Sequence, residues 1–376
     1  MQIVNTGNSY QLFSDHLKTY NKLPAQAYTV SFNPQSGYSL LSYGEIKIDE
    51  KVYGVHTEKV DKVLTNFSLF NRNLGVILSG DKGIGKSLFA KLLSIKAIEA
   101  GYPLIIVEGA IPGIASYLNS IEQEVVVLFD EFDKTFTNNG NRDNMQDPQT
   151  DLLTLFDGLG QGKKLFVVTC NDLSKLNSFL VNRPGRFHYH FRFEHPNAEQ
   201  VREYLVDKVP NIQESEIQAV ITFSRKVALN YDCLRAIAFE LSTGLTFENA
   251  IKDLNILNIQ NEIYNVVVNL SDGSSYKERC RLDMFCDNEK IEFCDKDGYD
   301  FTIEFDPSSG IYNAATGGVL ITPDEIKNVD WETEYYIRNY ADNDEAKIQK
   351  IRDREKLTVI NMIVRRVYDK NLHYAV

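Results

Sequence analysis

Gly75-Val76-Ile77-Leu78-Ser79-Gly80-Asp81-Lys82-Gly83-Ile84-Gly85-Lys86-Ser87 decides the fold. The run Gly75 to Ser79 is short and nearly all apolar, as a strand covered on both faces should be. Behind it comes the spacing GxxxxGK[ST], and then helical periodicity from Ser87 to Ala100 with Gly101 and Pro103 as stop signals. The pattern answers a physical demand. Glycines let backbone N–H groups curl around an anion, the helix start adds its positive dipole end, and lysine adds a fixed charge. The implied ligand is a nucleotide phosphate chain, contacted by Gly80, Asp81, Lys82, Gly83, Ile84, Gly85, Lys86 and Ser87, with the Ser87 hydroxyl on Mg²⁺.

Outward from this stretch the same alternation continues. Leu104 to Val107, Val125 to Phe129 and Leu165 to Thr169 are further apolar runs, with a helical segment around Ile114 to Ile121 between them. Strands that alternate with helices predict a parallel sheet. The run from Val125 ends in Asp130-Glu131-Phe132-Asp133. Carboxylates at a buried strand end are costly without a compensating charge, and a bound metal–phosphate group would provide one. Asp130 would then orient Mg²⁺ and Glu131 would polarise the attacking water. The next strand delivers Cys170 and Asn171 to the same sheet edge, where Asn171 could hold that water or the γ-phosphate; alone, Asn171-Asp172 reads as a turn or cap. Arg183 and Arg186, in Asn182-Arg183-Pro184-Gly185-Arg186-Phe187, offer planar charged forks suited to phosphate, though surface arginines in turns are as common.

These motifs, GDKGIGKS, LFDEFD, VVTCND and NRPGRF, stand in an order that resembles the AAA+ ATPases, and the AAA clade in the narrow sense above all. The resemblance covers about 51–258. Thr150 to Leu159 also looks like the helix that clade places after its Walker B strand. The resemblance implies a P-loop NTPase α/β domain with a RecA-like parallel sheet, an all-α lid, ATP and Mg²⁺ as cofactors, and ATP bound between neighbouring copies of a ring, usually a hexamer. Carried over, Lys86 and Ser87 belong to Walker A, Asp130 and Glu131 to Walker B, and Asn171 to sensor 1. Arg183 and Arg186 match arginine fingers that reach a neighbour's γ-phosphate.

Tyr53, Gly54, Val55 and His56 match the family's adenine contacts by position. Arg235, in Asp232-Cys233-Leu234-Arg235, aligns either with a sensor 2 arginine or with an ordinary surface position. Gly109 to Gly113 occupies the pore-loop position but lacks the aromatic, so Ile111 is either a contact to a threaded chain or part of a structural loop. Asn138 to Asp147 reads as a second, pore-facing loop. His188 and His190 read as sheet-face residues rather than metal ligands, having no acid cluster nearby.

The 376 residues carry 40 Lys and Arg against 52 Asp and Glu, a formal charge of −12. Such a balance disfavours a nucleic-acid coating protein. Five cysteines without paired CxxC spacing argue against a zinc site or a disulfide framework, and no apolar run approaches the roughly 20 residues of a membrane span. The start of the chain lacks a leader pattern, so the expected place is cytoplasmic, in the host cytoplasm if phage-encoded. The expected division is an N-terminal extension over 1–51, the ATPase core over 52–195, a helical lid over 196–258, and a β-rich unit over 259–376 closing with a helix from about Asp344 to Val367. The leading function is an ATP-driven ring that remodels or translocates a protein partner. A nucleic-acid motor or loader and a nucleotide-switched scaffold are the alternatives, distinguished by whether polypeptide, DNA or neither stimulates turnover.

Overall fold

The computed structural model describes residues 2–5, 7, 10–14, 17–48, 51–52, 56–136, 148–158, 162–181, 183–256, 262–341 and 344–367. The chain divides into two compact units, 1–194 and 195–376.

The first unit runs β1 (Gln2–Asn5), β2 (Tyr10–Phe13), β3 (Ala27–Asn33), β4 (Gly37–Ser42), α1 (His56–Leu69), β5 (Leu74–Ser79), α2 (Lys86–Glu99), β6 (Leu104–Val107), α3 (Ile114–Asn119), β7 (Val125–Phe129), α4 (Phe132–Thr135), α5 (Pro148–Phe156), β8 (Lys164–Cys170) and β9 (Tyr189–Arg192). Seven strands form one sheet in the order β4-β3-β6-β7-β8-β5-β9. All neighbours are parallel except β3 and β4. The sheet is buried on both sides, which is why its central strands read as unbroken apolar runs. Val60, Phe67, Phe89 and Leu93 pack on one face, and Ile114, Leu118, Leu152 and Phe156 on the other. The sheet also extends into the residues expected to be an N-terminal extension: Ala27, Tyr28 and Thr29 pair in parallel with Leu104, Ile105 and Ile106.

The second unit begins with α6 (Ala198–Lys208), α7 (Glu214–Lys226), α8 (Tyr231–Ser242) and α9 (Phe247–Asp253). Asn197 and Gln200 form a capping box that starts α6, and Asn230 caps α8. Then come β10 (Glu262–Leu270), β11 (Ser275–Leu282), β12 (Glu289–Cys294), β13 (Asp300–Phe305), β14 (Ile311–Asn313), β15 (Gly318–Ile321), β16 (Ile326–Asp330), α10 (Thr333–Tyr340), α11 (Glu345–Arg354) and β17 (Val359–Arg366). A five-stranded sheet, β11-β10-β17-β15-β14, and a three-stranded sheet, β12-β13-β16, share a core of Tyr264, Val266, Phe293, Phe301, Phe305 and Met362. Helix α7 belongs to this body: Lys226 Nζ donates to Ser308 O at 2.6 Å and Tyr264 OH donates to Lys226 O at 2.6 Å.

The expected closing helix over 344–367 is a correction. α11 stops at Arg354, and Val359–Arg366 is a strand between β10 and β15. A register shift at Asn269 and Leu270 places the buried residues of β17 at Val359, Met362 and Val364. The first interval, three residues, imitates helical spacing, while β-branched Val359, Ile360, Ile363 and Val364 favour a strand.

Candidate functional site

Three parallel strands, β5, β8 and β7, end side by side. Ser79 pairs with Cys170, and Phe129 with Val168. Residues just past these ends therefore converge on the crevice where open α/β sheets bind ligands.

At the end of β5 the loop owes its shape to glycine. Gly80, Gly83 and Gly85 have φ of 142°, 73° and 100°, a region that side chains with a Cβ avoid. A Cβ on Gly80 would meet Ile84 Cδ1 at 2.3 Å and Phe193 O at 2.4 Å. Gly85 is the N-cap of α2 and Lys86 its first residue. The buried Lys86 ammonium donates to Gly80 O at 2.6 Å and to Asp81 O. Burial lowers its pKa, while Cys170, Asp81, Asp133 and Asp130 act the other way. Ser87, the second helical residue, is exposed. Three glycines turned for N–H donation, a helix start and a buried ammonium suit a polyphosphate, so the residues present fit the implied nucleotide.

Past β7, Asp130 and Glu131 are held by a residue the sequence reading did not single out. Thr169 Oγ1 donates to Asp130 Oδ1 at 2.5 Å and accepts from Glu131 N at 2.8 Å. Glu131 has φ 48° and ψ 45° and caps α4. A side chain in this left-handed region costs about 1 kcal/mol, borne by the packing around it. That packing is aromatic: Phe132 lies edge-on to Phe129 at 5.7 Å and stacks on Phe136 at 4.7 Å. The Glu131 carboxylate bonds the Lys134 ammonium one turn on, and this bond, the largest influence, lowers its pKa. Asp133, 2% exposed, accepts from Asp172 N at 3.1 Å and so joins the ends of β7 and β8. Asn171 stands between Cys170 and Asp172 at that edge. Burial pushes the Cys170 thiol up to about 12.

The two arginines are placed differently. Arg186 Nη2 donates to Asp157 Oδ2 at 2.7 Å, its Nε donates to Asp157 Oδ1, and its Nη1 donates to Phe179 O at 2.7 Å. With that fork engaged within the chain, its side chain is 10% exposed. Arg183 is exposed, its guanidinium 5.4 Å from the Phe179 ring centroid. Gly75 lets this segment approach β5: a Cβ there would meet Arg186 O at 2.3 Å. Phe187 then packs edge-on to Phe156 at 5.0 Å.

Of the expected adenine contacts, Tyr53, Gly54 and Val55 lie outside the described residues. His56 lies beside the phosphate loop: a Cβ on Gly85 would be 3.2 Å from its Nε2, and its ring is 5.2 Å from that of Phe193. Ile111 is half-buried against the core, and Tyr38 OH from β4 bonds Pro112 O while its ring stacks on Tyr117 at 4.6 Å. Residues 138–147, Asn182 and Leu159 lie outside the described residues. Arg235 belongs to the second unit, where it pairs with Asp232 at 3.8 Å. His190 faces Ser79, Nε2 to Oγ at 2.7 Å. The Arg192 guanidinium can only donate, so at 3.4 Å His190 Nδ1 accepts and Nε2–H donates to Ser79. Burial first and Arg192 second lower the His190 pKa to about 4. Among the described residues no group of three or more His, Cys, Asp or Glu is placed to hold a metal ion on its own. No helix among them is long and apolar enough to cross a membrane.

Comparison with known proteins agrees with this geometry. Residues 76–195 match the model of the ATPase family associated with various cellular activities (AAA). The chain is 28% identical over 158 residues to the ATP-dependent zinc metalloprotease FtsH of Aster yellows witches'-broom phytoplasma (strain AYWB), covering 38% of this chain and 23% of that protein. The chain thus spans about a quarter of the length of this curated relative. The glycine cradle, the paired acids at the end of β7 and the matched family model lead to one conclusion: over residues 76–195 the chain is similar to the AAA+ ATPases.

Proposed function

We propose that this chain binds ATP at Gly80–Ser87 and hydrolyses it within a ring of copies, a hexamer by the family resemblance, to remodel or translocate a protein partner. The observation that carries the reading is the convergence at one sheet edge of the turned glycines, the buried Lys86 and the Thr169-bound pair Asp130 and Glu131.

The backbone N–H groups of the cradle and the Lys86 ammonium hold the phosphate chain. Ser87 and Asp130 would hold Mg²⁺, which supplies charge neutralisation between the terminal phosphates when bound. Glu131 accepts the proton of the attacking water, and Asn171 orients that water. The products are ADP and phosphate. Tyr53, Gly54 and Val55 take the adenine, a role supported by His56 lying against Gly85. Arg183 is the residue offered to a neighbouring copy's triphosphate, because it is exposed, whereas Arg186 secures the segment through Asp157. By the family resemblance helices α6 to α9 correspond to the lid, and Arg235 corresponds either to its sensor 2 arginine or to an ordinary surface position.

A protein rather than a nucleic-acid partner is supported by the net charge of −12, and ATP dependence by the relative's printed name. The test measures ATP binding and turnover by the full chain with and without an unfolded polypeptide or single-stranded DNA. Binding abolished by Lys86→Ala together with turnover stimulated by polypeptide supports the reading. Retained binding in that variant, or stimulation by DNA alone, contradicts it.

A further inference from the structure

The five-stranded sheet of the second unit has one face in the core and one outside it. Tyr264, Val266, Val268, Val364 and Val319 point inward. Register places Lys277, Arg279 and Arg281 of β11 on the other face, opposite Val267, Asn265 and Ile263 of β10. Arg365 and Ile363 of β17 continue it, opposite Asn265 and Val267. The three cations of β11 are exposed and make no ion pair among the described residues. The nearby acids Glu262 and Glu278 pair with Leu282 and Val266 and so lie on the opposite face. Among the described residues of these five strands, the outer face holds neither carboxylates nor aromatic rings.

A chain with a formal charge of −12 thus presents a cationic surface with an aliphatic floor. Among the described residues β11 is also an edge strand of its sheet, hydrogen-bonded to β10 alone. The outward backbone groups of its eight residues are a template for another strand. We propose that this edge and face dock an extended acidic polypeptide segment of a partner protein. The segment adds beside β11, alternate carboxylates opposing Lys277, Arg279 and Arg281, while the intervening apolar residues fall on the opposite face, beside Tyr276 and Cys280. Single-stranded nucleic acid is the poorer occupant, since its bases need aromatic stacking platforms that this face lacks. The inference does not depend on nucleotide hydrolysis, because the surface lies wholly within the second unit.

The experiment follows fluorescence anisotropy of a labelled eight-residue peptide of alternating Glu and Val, matching the eight residues of β11, with full-length protein and no nucleotide. A Lys and Val peptide and a thymidine oligonucleotide serve as comparisons. The expected result is salt-sensitive binding of the acidic peptide alone, weakened about tenfold or more in K277E/R279E/R281E and also reduced in K277A/R279A/R281A. The alanine variant keeps the test decisive if the charge-reversed one does not fold. No binding of the acidic peptide, binding unaffected by the alanine variant, or equal binding of the oligonucleotide overturns the proposal. The cations would then be edge charges that discourage sheet-to-sheet aggregation.

Discussion

Arg186 and Asp157 are locked fork to fork, Nη2 donating to Oδ2 at 2.7 Å and Nε to Oδ1, while Nη1 of the same guanidinium holds Phe179 O at 2.7 Å. The carboxylate closes α5 and the arginine follows the Arg183 turn, so the pair ties the two segments together. Bidentate pairs of this kind add geometric specificity to charge.

The lock separates the roles of the two arginines. Arg183→Ala is expected to lower turnover by about a thousandfold or more with thermal stability retained. Arg186→Ala and Asp157→Ala are expected to lower stability alike, with a coupling energy of about 1 kcal/mol in a double-mutant cycle. Denaturant unfolding and steady-state ATPase assays measure both. Additive effects of Arg186 and Asp157 would remove the lock.

Thr169 gives a second test. Its hydroxyl serves Asp130 and Glu131 at once, so Thr169→Val is expected to cost about 2 kcal/mol and to reduce turnover. Thr169→Ser, which keeps the hydroxyl, is expected to restore both. Wild-type turnover in Thr169→Val would show that the hydroxyl does not position the acids.

Lys134 bears on the pH dependence of turnover. Its bond to Glu131 holds that carboxyl below its ordinary value, and a general base works only when deprotonated. With Glu131 in its proposed role as base, turnover is therefore expected to fall as pH drops through the Glu131 pKa. Lys134→Met is expected to move the acid limb of the turnover profile to higher pH, and an unmoved limb would show that Lys134 does not tune the base.

His190 bears on stability. Its pKa is lowered to about 4 in the fold, against about 6.5 in the unfolded chain. As pH falls from about 6.5 to about 4 the unfolded chain takes up a proton that the fold refuses, so stability falls across that window. His190→Gln is expected to flatten this loss, by about 1 to 2 kcal/mol after allowance for solvent screening. Thermal melts across the window measure it, and identical slopes in the two proteins would argue against a buried neutral His190.

How much of this was legible depended on distance along the chain. The phosphate loop is contiguous, and its glycine conformations follow from residues within Gly80–Lys86. The strands Val125–Phe129 and Leu104–Val107 announced themselves because both faces are covered. Thr169 was hidden because its partners are 38 and 39 positions away and threonine in a strand is unremarkable. The Arg186 lock spans 29 positions and looked like two unrelated turn residues. Ala27–Asn33 read as a separate segment because nothing local reveals which sheet a short strand joins. β17 imitates a helix in sequence because its shifted register mixes intervals of three and two.

The most direct test of the central claim compares the wild-type protein with Glu131→Gln for ATP affinity and for single-turnover hydrolysis. The account predicts matching affinity, with cleavage slower by about a hundredfold or more in the variant. Equal cleavage rates in the two proteins, or no ATP binding by either, would contradict it.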